Sequence, residues 1–249
     1  MLSGGAGEPQ HEKGVGDGDG ASRLAPLDAY DGSLAARVHQ SLKDAILSLD
    51  YQPGEILRKG DICDRLGVSR SPVSEAVTRL AAEGLVDVVP QAGTFVARFS
   101  MSEIREGAFL REALEAAAVE LIAAAITDAQ IVELRRNLRV QQALVEDGDV
   151  AGFYKLDAEM HRLMLSYTGF RRLAHIAETS WLQVNRARRL VLPNRRRIAE
   201  TVDEHRAIVD ALEARDPRAA REATQTHLRQ LLRYLEPLER EHPELFQPK

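Results

Sequence analysis

Residues 66–86 set a glycine, a serine, a proline and an apolar stripe in an order that few folds accept. The stretch reads Leu66-Gly67-Val68-Ser69-Arg70-Ser71-Pro72-Val73-Ser74-Glu75-Ala76-Val77-Thr78-Arg79-Leu80, and continues to Gly84-Leu85-Val86. Gly67 tolerates the left-handed turn that closes one helix. Ser69 is a good N-cap for the next, and Pro72 is accepted in a first turn, where its missing N–H has no intrahelical partner. Val73, Val77 and Leu80 fall on one face at helical spacing, and Gly84 ends the helix. Arg70, Ser71, Ser74 and Thr78 lie away from that face, where their side chains can reach phosphates or base edges in a major groove.

The flanks extend the pattern. Lys59 to Leu66 predicts a short helix with Ile62 and Leu66 inward. Leu85–Val89 and Thr94–Ala97 predict two strands around the turn Pro90-Gln91-Ala92-Gly93. Helix, turn, helix and hairpin make a winged helix-turn-helix; the plainer alternative is a helical pair with a hairpin attached. Ser69 and Gly93, at the helix start and the wing tip, join Arg70, Ser71, Ser74 and Thr78 as candidate contacts to double-stranded DNA.

Upstream, Leu34, Val38, Leu42, Ile46 and Leu49 mark an amphipathic helix that Pro53-Gly54 should end. Residues 1–32, rich in Gly, Asp and Ser, are expected to be disordered. After Arg98 the strand signals stop. Long amphipathic helices follow from Ile104 to Ala125, from Thr127 to Asp147, and from Val150 to Tyr167. Three more run from Arg171 to Leu192, from Arg195 to Ala214, and from Arg218 to Leu235 before Pro237. Short breaks between them predict an antiparallel bundle over 102–236, followed by a frayed tail over 237–249. The expected fold is mainly α: a winged helix-turn-helix over 33–98, then an all-helical domain.

Composition excludes some partners. With 249 residues, 29% charged and 44% hydrophobic, the chain suits a soluble protein of two modest domains. It has neither an apolar run long enough to span a bilayer nor a leading signal segment, so a membrane role is not expected and a cytoplasmic one is. The single Cys63 cannot form an internal disulfide and reads as a core residue. Net charge is −5, and residues 33–98 hold eight basic against eight acidic side chains. A neutral reading head binds DNA poorly alone, so a homodimer on two half-sites is expected.

In the helical domain four residues stand out. Asp157 and His161 share one face of the third bundle helix, while His205 and His227 lie in the fifth and last. One carboxylate and three imidazoles can converge on a divalent metal, Zn foremost, with Ni, Mn or Fe also suited. They can equally be satisfied core histidines and an ordinary helical acid–base pair. Arg111, beside Leu110 and Leu114, is either a guanidinium clamp for an acidic effector or the structural partner of Glu115. Trp181 and Asn185 share a face that can line the same pocket, although core packing also suits Trp181. The run Arg186, Arg188, Arg189, Arg195, Arg196, Arg197 reads as a solvated turn or a surface for an acidic partner, with a second DNA patch as the alternative. A metal-dependent hydrolase would need a base, and Glu159 and Glu204 are the nearest. Glu159 follows Asp157 by two positions and should face away, and no nucleophile motif or phosphate loop is present.

Gly54-Glu55-Ile56-Leu57, Leu66 to Val73, Arg79-Leu80 to Val86 and Gly93-Thr94-Phe95-Val96 together resemble the N-terminal domain of GntR-family bacterial transcription regulators, over about 33–98. Arg70 keeps a basic DNA-contact position of that family. Gly60 and Ser74 stand where the family usually carries basic residues, a departure that bears on operator sequence. Arg111-Glu112-Ala113-Leu114-Glu115, Asp157 with His161 before Thr168-Gly169, Glu204-His205 before Ile208-Val209, and His227-Leu228 resemble the FCD ligand-binding domain of the FadR-type subfamily, over about 102–236. The resemblance implies a metal held by Asp157, His161, His205 and His227 at the floor of an effector pocket. It also implies a small organic acid as effector, with Arg111 nearby, and operator binding as a repressor. Met160 and Phe170 depart from the family pattern near that pocket and bear on effector identity. A third reading makes the metal itself the signal.

Overall fold

The computed structural model describes residues 23–173, 176–177, 181–191 and 195–248. A 3-10 turn at Leu27–Ala29 leads into α1 (Leu34–Leu47), α2 (Lys59–Leu66) and α3 (Arg70–Ala82). Strands β1 (Val86–Val89) and β2 (Gly93–Val96) follow, antiparallel, with Val86 opposite Val96 and Val89 opposite Gly93. Val73, Val77 and Leu80 of α3 meet Val38, Leu42 and Ile46 of α1 and Ile62 of α2 in one buried cluster, as their spacing predicts. Cys63 packs half-buried at its edge. Gly67 ends α2 at φ 63°. Ser69 occupies the N-cap of α3 in extended geometry, but its hydroxyl makes no capping hydrogen bond. A bridge from Ile56 to Phe95 adds a third strand-like edge, and Gly93 takes φ 134°, a conformation that residues with a side chain rarely adopt.

Two expectations fail in this half. α1 stops at Leu47, well before Pro53-Gly54, because Leu49 takes φ 64° and turns the chain. Leu49 joins a different cluster, at the junction with the helical domain. Residues 23–32 are not a disordered tail: Leu24 is buried in the winged-helix core and Ser41 Oγ donates to the Ala25 carbonyl at 2.8 Å. Residues 1–22 lie outside the described residues.

The helical domain contains α4 (Met101–Ala123), α5 (Asp128–Asp147), α6 (Val150–Ser166), α7 (Leu182–Val191), α8 (Arg195–Glu213) and α9 (Pro217–Glu241). Side chains start four of them. The Ser100 hydroxyl accepts from Glu103 N–H, Thr127 and Gln130 form a full capping box, and Asp149 and Asp216 accept from Gly152 and Ala219 N–H. The predicted fourth bundle helix, Arg171 to Leu192, is represented by α7; residues 174, 175, 178–180 and 192–194 lie outside the described residues. Pro237 does not end the last helix, which runs on to Glu241. An internal proline costs about 3 kcal/mol, and the apolar contacts beyond it outweigh that. Leu235, Leu238, Leu245 and Phe246 pack with Phe99 in the junction cluster. The segment expected to fray instead closes on the linker: Phe99 N–H donates to the Leu245 carbonyl at 3.0 Å, and the two phenyl rings sit 5.7 Å apart. No described helix is long and apolar enough to cross a membrane.

Candidate functional site

Asp157 and His161 project one turn apart from α6 into the bundle, where His205 from α8 and His227 from α9 meet them. All four are buried. The coordinating atoms of the three histidines lie within 4.8 Å of one another. Each imidazole is held from behind by an oxygen acceptor. His161 Nδ1 lies 2.6 Å from Glu115 Oε2, His205 Nδ1 lies 2.8 Å from Gln141 Oε1, and His227 Nδ1 lies 2.7 Å from Glu204 Oε2. An ionised carboxylate only accepts, so Nδ1 carries the proton in His161 and His227, and Nε2 is left with a lone pair. The Gln141 amide donates to Asn137 Oδ1, which fixes its carbonyl toward His205 in the same way.

The free nitrogens then face inward. His161 Nε2 and His227 Nε2 are 3.3 Å apart, and His205 Nε2 stands 3.5 Å from Asp157 Oδ1. Two lone pairs at that separation repel unless a cation or proton lies between them. Among the described residues, His205 Nε2 and Asp157 Oδ2 are buried with no hydrogen-bond partner. Orphan acceptors facing one another, with second partners fixing each ring, are the donor set a divalent ion requires. Burial, and then the nearby His227, hold His205 well below its ordinary pKa. Burial, partly opposed by the Glu204 hydrogen bond, lowers His227 to about 4. Burial alone would raise Asp157, but Arg188, His161 and His205 reverse this and keep its carboxyl well below the usual range. Glu115 is likewise pulled down against its burial, to about 2, chiefly by Arg111 and His161.

Beside the cluster lies a cavity of about 400 Å³, with His161 shared between the two. Arg111, Trp181, Asn185 and Arg188 line its inner part, and Lys155 and Arg162 stand on the exposed face of α6. Arg111 is the partner of Glu115, as one of its two readings expects. It donates to Glu115 Oε1 at 2.6 Å, it lies 5.2 Å from the Trp181 ring, and it lines the cavity. Glu159, expected to face away, also borders the cavity but does not join the histidines.

The arginine run is not a solvated turn. Arg188 is buried and donates to Asp157 Oδ1 at 2.5 Å. Arg197 is buried and grips Glu204 through two hydrogen bonds of 2.7 and 2.8 Å. Arg186 is buried over Phe99, and Arg189 stacks on Tyr154. Only Arg196 is exposed as expected; the side chain of Arg195 lies outside what is described. The sequence reading also missed Gln141 and the support that Glu115, Glu204 and Arg188 give the cluster. These partners sit on other helices or turns, with no short spacing to signal them.

On the winged helix, Ser69, Arg70, Ser71 and Thr78 are exposed along α3, Ser74 is half-buried, and Gly93 is exposed on the wing. The Thr78 hydroxyl donates to the Ser74 carbonyl at 3.0 Å and keeps its lone pairs for an outside donor.

Comparison with known proteins matches residues 34–96 to the bacterial regulatory proteins of the gntR family, and residues 106–230 to the FCD domain. An HTH-type transcriptional regulator from an unstable DNA locus of Streptomyces ambofaciens is 35% identical, over 84% of this chain and 88% of the relative. The HTH-type transcriptional repressor RspR of Escherichia coli K12 is 29% identical, over 84% of this chain and 92% of its own. Among solved structures, a GntR regulator from Rhodococcus sp. RHA1 superposes with a TM-score of 0.71 at 26% identity, covering 82% of this chain and 99% of that one. E. coli McbR/YncC shares the fold with the same TM-score at 22% identity, over 84% of this chain and 99% of its own.

Proposed function

Because the chain belongs to the GntR family of bacterial regulatory proteins, with an FCD domain behind its winged helix, it is a DNA-binding transcription regulator, and we propose that it is a homodimeric, cytoplasmic repressor whose helical domain binds a divalent metal and a small carboxylate effector. The observation that carries the metal reading is the inward convergence of three Nε2 atoms, each ring held from behind at Nδ1. Asp157, His161, His205 and His227 would hold the ion, zinc foremost and nickel, manganese or iron as alternatives. When bound, it supplies a Lewis-acidic position for a carboxylate oxygen.

The cavity supports an anionic effector. Arg111 and Arg188 face it from positions where Glu115 and Asp157 hold them fixed, and the charge-assisted hydrogen bonds of a carboxylate suit such guanidinium groups. Trp181 and Leu165 give the ligand an apolar wall, and Asn185 offers it a donor and an acceptor. Ser69, Arg70, Ser71, Ser74 and Thr78 carry the DNA contacts in this reading, with Gly93 allowing close approach of the wing. Effector binding changes operator affinity to the extent that it favours one arrangement of the two domains over another.

Metal content of protein dialysed without chelator tests the centre. About one ion per chain is expected, and the His205→Ala protein should retain almost none. Unchanged metal content in that variant overturns the assignment. Release of operator DNA by members of a small-carboxylate panel tests the effector. DNA affinity that follows metal while ignoring every acid would establish the metal as the signal instead.

A further inference from the structure

Helix α7 has two working faces. Trp181, just ahead of it, Asn185 and Arg188 recur at helical spacing and line the cavity. Leu182, Gln183 and Arg186 point elsewhere. Leu182 packs against the winged-helix core, and Gln183 Nε2 donates to the Gly84 carbonyl at 2.9 Å, where the chain leaves α3. The Arg186 guanidinium lies 4.4 Å over the ring of Phe99, in the segment that joins β2 to α4. One short helix therefore touches the cavity on one side, and the exit of α3 and the interdomain linker on the other.

Arg186 is the anomaly on that second face. It is 0% exposed, and none of Nε, Nη1 and Nη2 has a hydrogen-bond partner among the described residues. Stacking a desolvated guanidinium on an aromatic ring returns about 2 kcal/mol. Taking an ion out of water without a partner costs several times that, and native proteins rarely tolerate it away from functional elements. Gln183, one turn before Arg186, is tied to Gly84, three residues before Asp87, which is exposed on β1 of the wing; Asp87 is also the carboxylate that opposes the lowering burial imposes on this guanidinium. Among the described residues the two share no hydrogen bond.

We propose that Arg186 is a positioning residue that couples the cavity to the DNA-reading head, stacked on Phe99 in one arrangement of the two domains and paired with Asp87 in a second. The unsatisfied guanidinium raises the free energy of the first arrangement, so the two lie close enough for a small movement of α7 to select between them. A ligand engaging Asn185 and Arg188 acts on the same helix one turn or less from Arg186. The link to an effector rests on the function proposed above, but the Arg186–Asp87 pair does not, and it is tested without any cavity ligand.

The test is a double-mutant cycle on the full-length chain, using Arg186→Met, Asp87→Asn and the combined variant. Affinity is measured for a duplex selected from random-sequence DNA by the wild-type protein. Asp87→Asn removes a negative charge from the wing in both backgrounds, so the cycle cancels that general effect. Pairing predicts that the effect of Asp87→Asn differs at least about fivefold between the wild-type and Arg186→Met backgrounds, well outside the additivity of uncoupled sites. Effects that multiply within about twofold overturn the proposal and leave Arg186 a packing residue. Arg186→Met keeps an unbranched apolar stem over Phe99 and is expected to melt about 2–4 °C higher than wild type. If it fails to fold, Arg186→Gln takes its place in the same cycle under the same criterion.

Discussion

A histidine serves as a metal ligand near neutral pH only if it is unprotonated and its free nitrogen is aimed. Burial lowers His205 and His227, and Glu115, Gln141 and Glu204 aim the three rings. Glu115→Gln should weaken metal affinity about 10–100-fold while leaving the ligand set intact, as loss of an orienting partner does elsewhere; competition with a chromogenic chelator reads it directly. The metal-free protein should also be sensitive to acid. His227 has an ordinary value of 6.5 when unfolded and about 4 when folded, so unfolding takes up a proton between those limits. Stability is then retained above about pH 6.5 and falls as the pH drops toward 4, with His205 adding to the same trend. Melting temperatures across that window should show the fall, and His227→Gln should flatten it. The members of the cluster were legible in the sequence as candidates, since Asp157 and His161 share a face and His205 and His227 sit on apolar stretches. Their supporting partners were not. Glu115 lies 46 residues from His161, and Gln141 lies 64 from His205, so only the packing of α4 and α5 against α6 and α8 makes them neighbours.

At the scale of elements, local chemistry sets several helix ends in the structure. Ser33, Thr127 and Asp216 cap helices where cap chemistry places them, and Gly67 and Gly148 take the left-handed turns that end α2 and α5. The two misplaced ends share a cause. α1 stops early at Leu47, before the turn at Leu49, and α9 runs past Pro237; Leu49 and, beyond Pro237, Leu238, Leu245 and Phe246 belong to the junction cluster around Phe99. A proline rule weighs one lost hydrogen bond, whereas burying Leu238, Leu245 and Phe246 beyond it repays more than that loss. The same cluster makes the C-terminal segment structural. Phe246→Ala should cost about 3 kcal/mol, the lower end for a buried phenylalanine, measured as a shift in the urea midpoint. A change under about 0.5 kcal/mol would return the segment to the status of an unanchored terminus.

At the scale of the molecule, charge and affinity must be reconciled. The reading head holds as many acidic as basic side chains, so one head has little sequence-independent attraction for a polyanion. Arg70, exposed at the start of α3, is among the few cations positioned to touch it. Arg70→Ala should reduce the slope of log affinity against log salt by about one. In the proposed homodimer two heads supply useful affinity, because the second half-site binds at high effective concentration. Phe109 and Leu121 of α4 are large apolar side chains left 73% and 51% exposed, which makes them the residues to test for that role. The double variant Phe109→Asp, Leu121→Asp should sediment as a monomer and keep its metal, because neither side chain joins the histidine cluster. Its affinity for a two-half-site duplex should fall at least about 100-fold, toward that of wild type on a single half-site. A variant that becomes monomeric yet binds the full site undiminished would mean that a single head suffices, and that the neutral charge balance is overcome by direct base contacts from α3 and the wing.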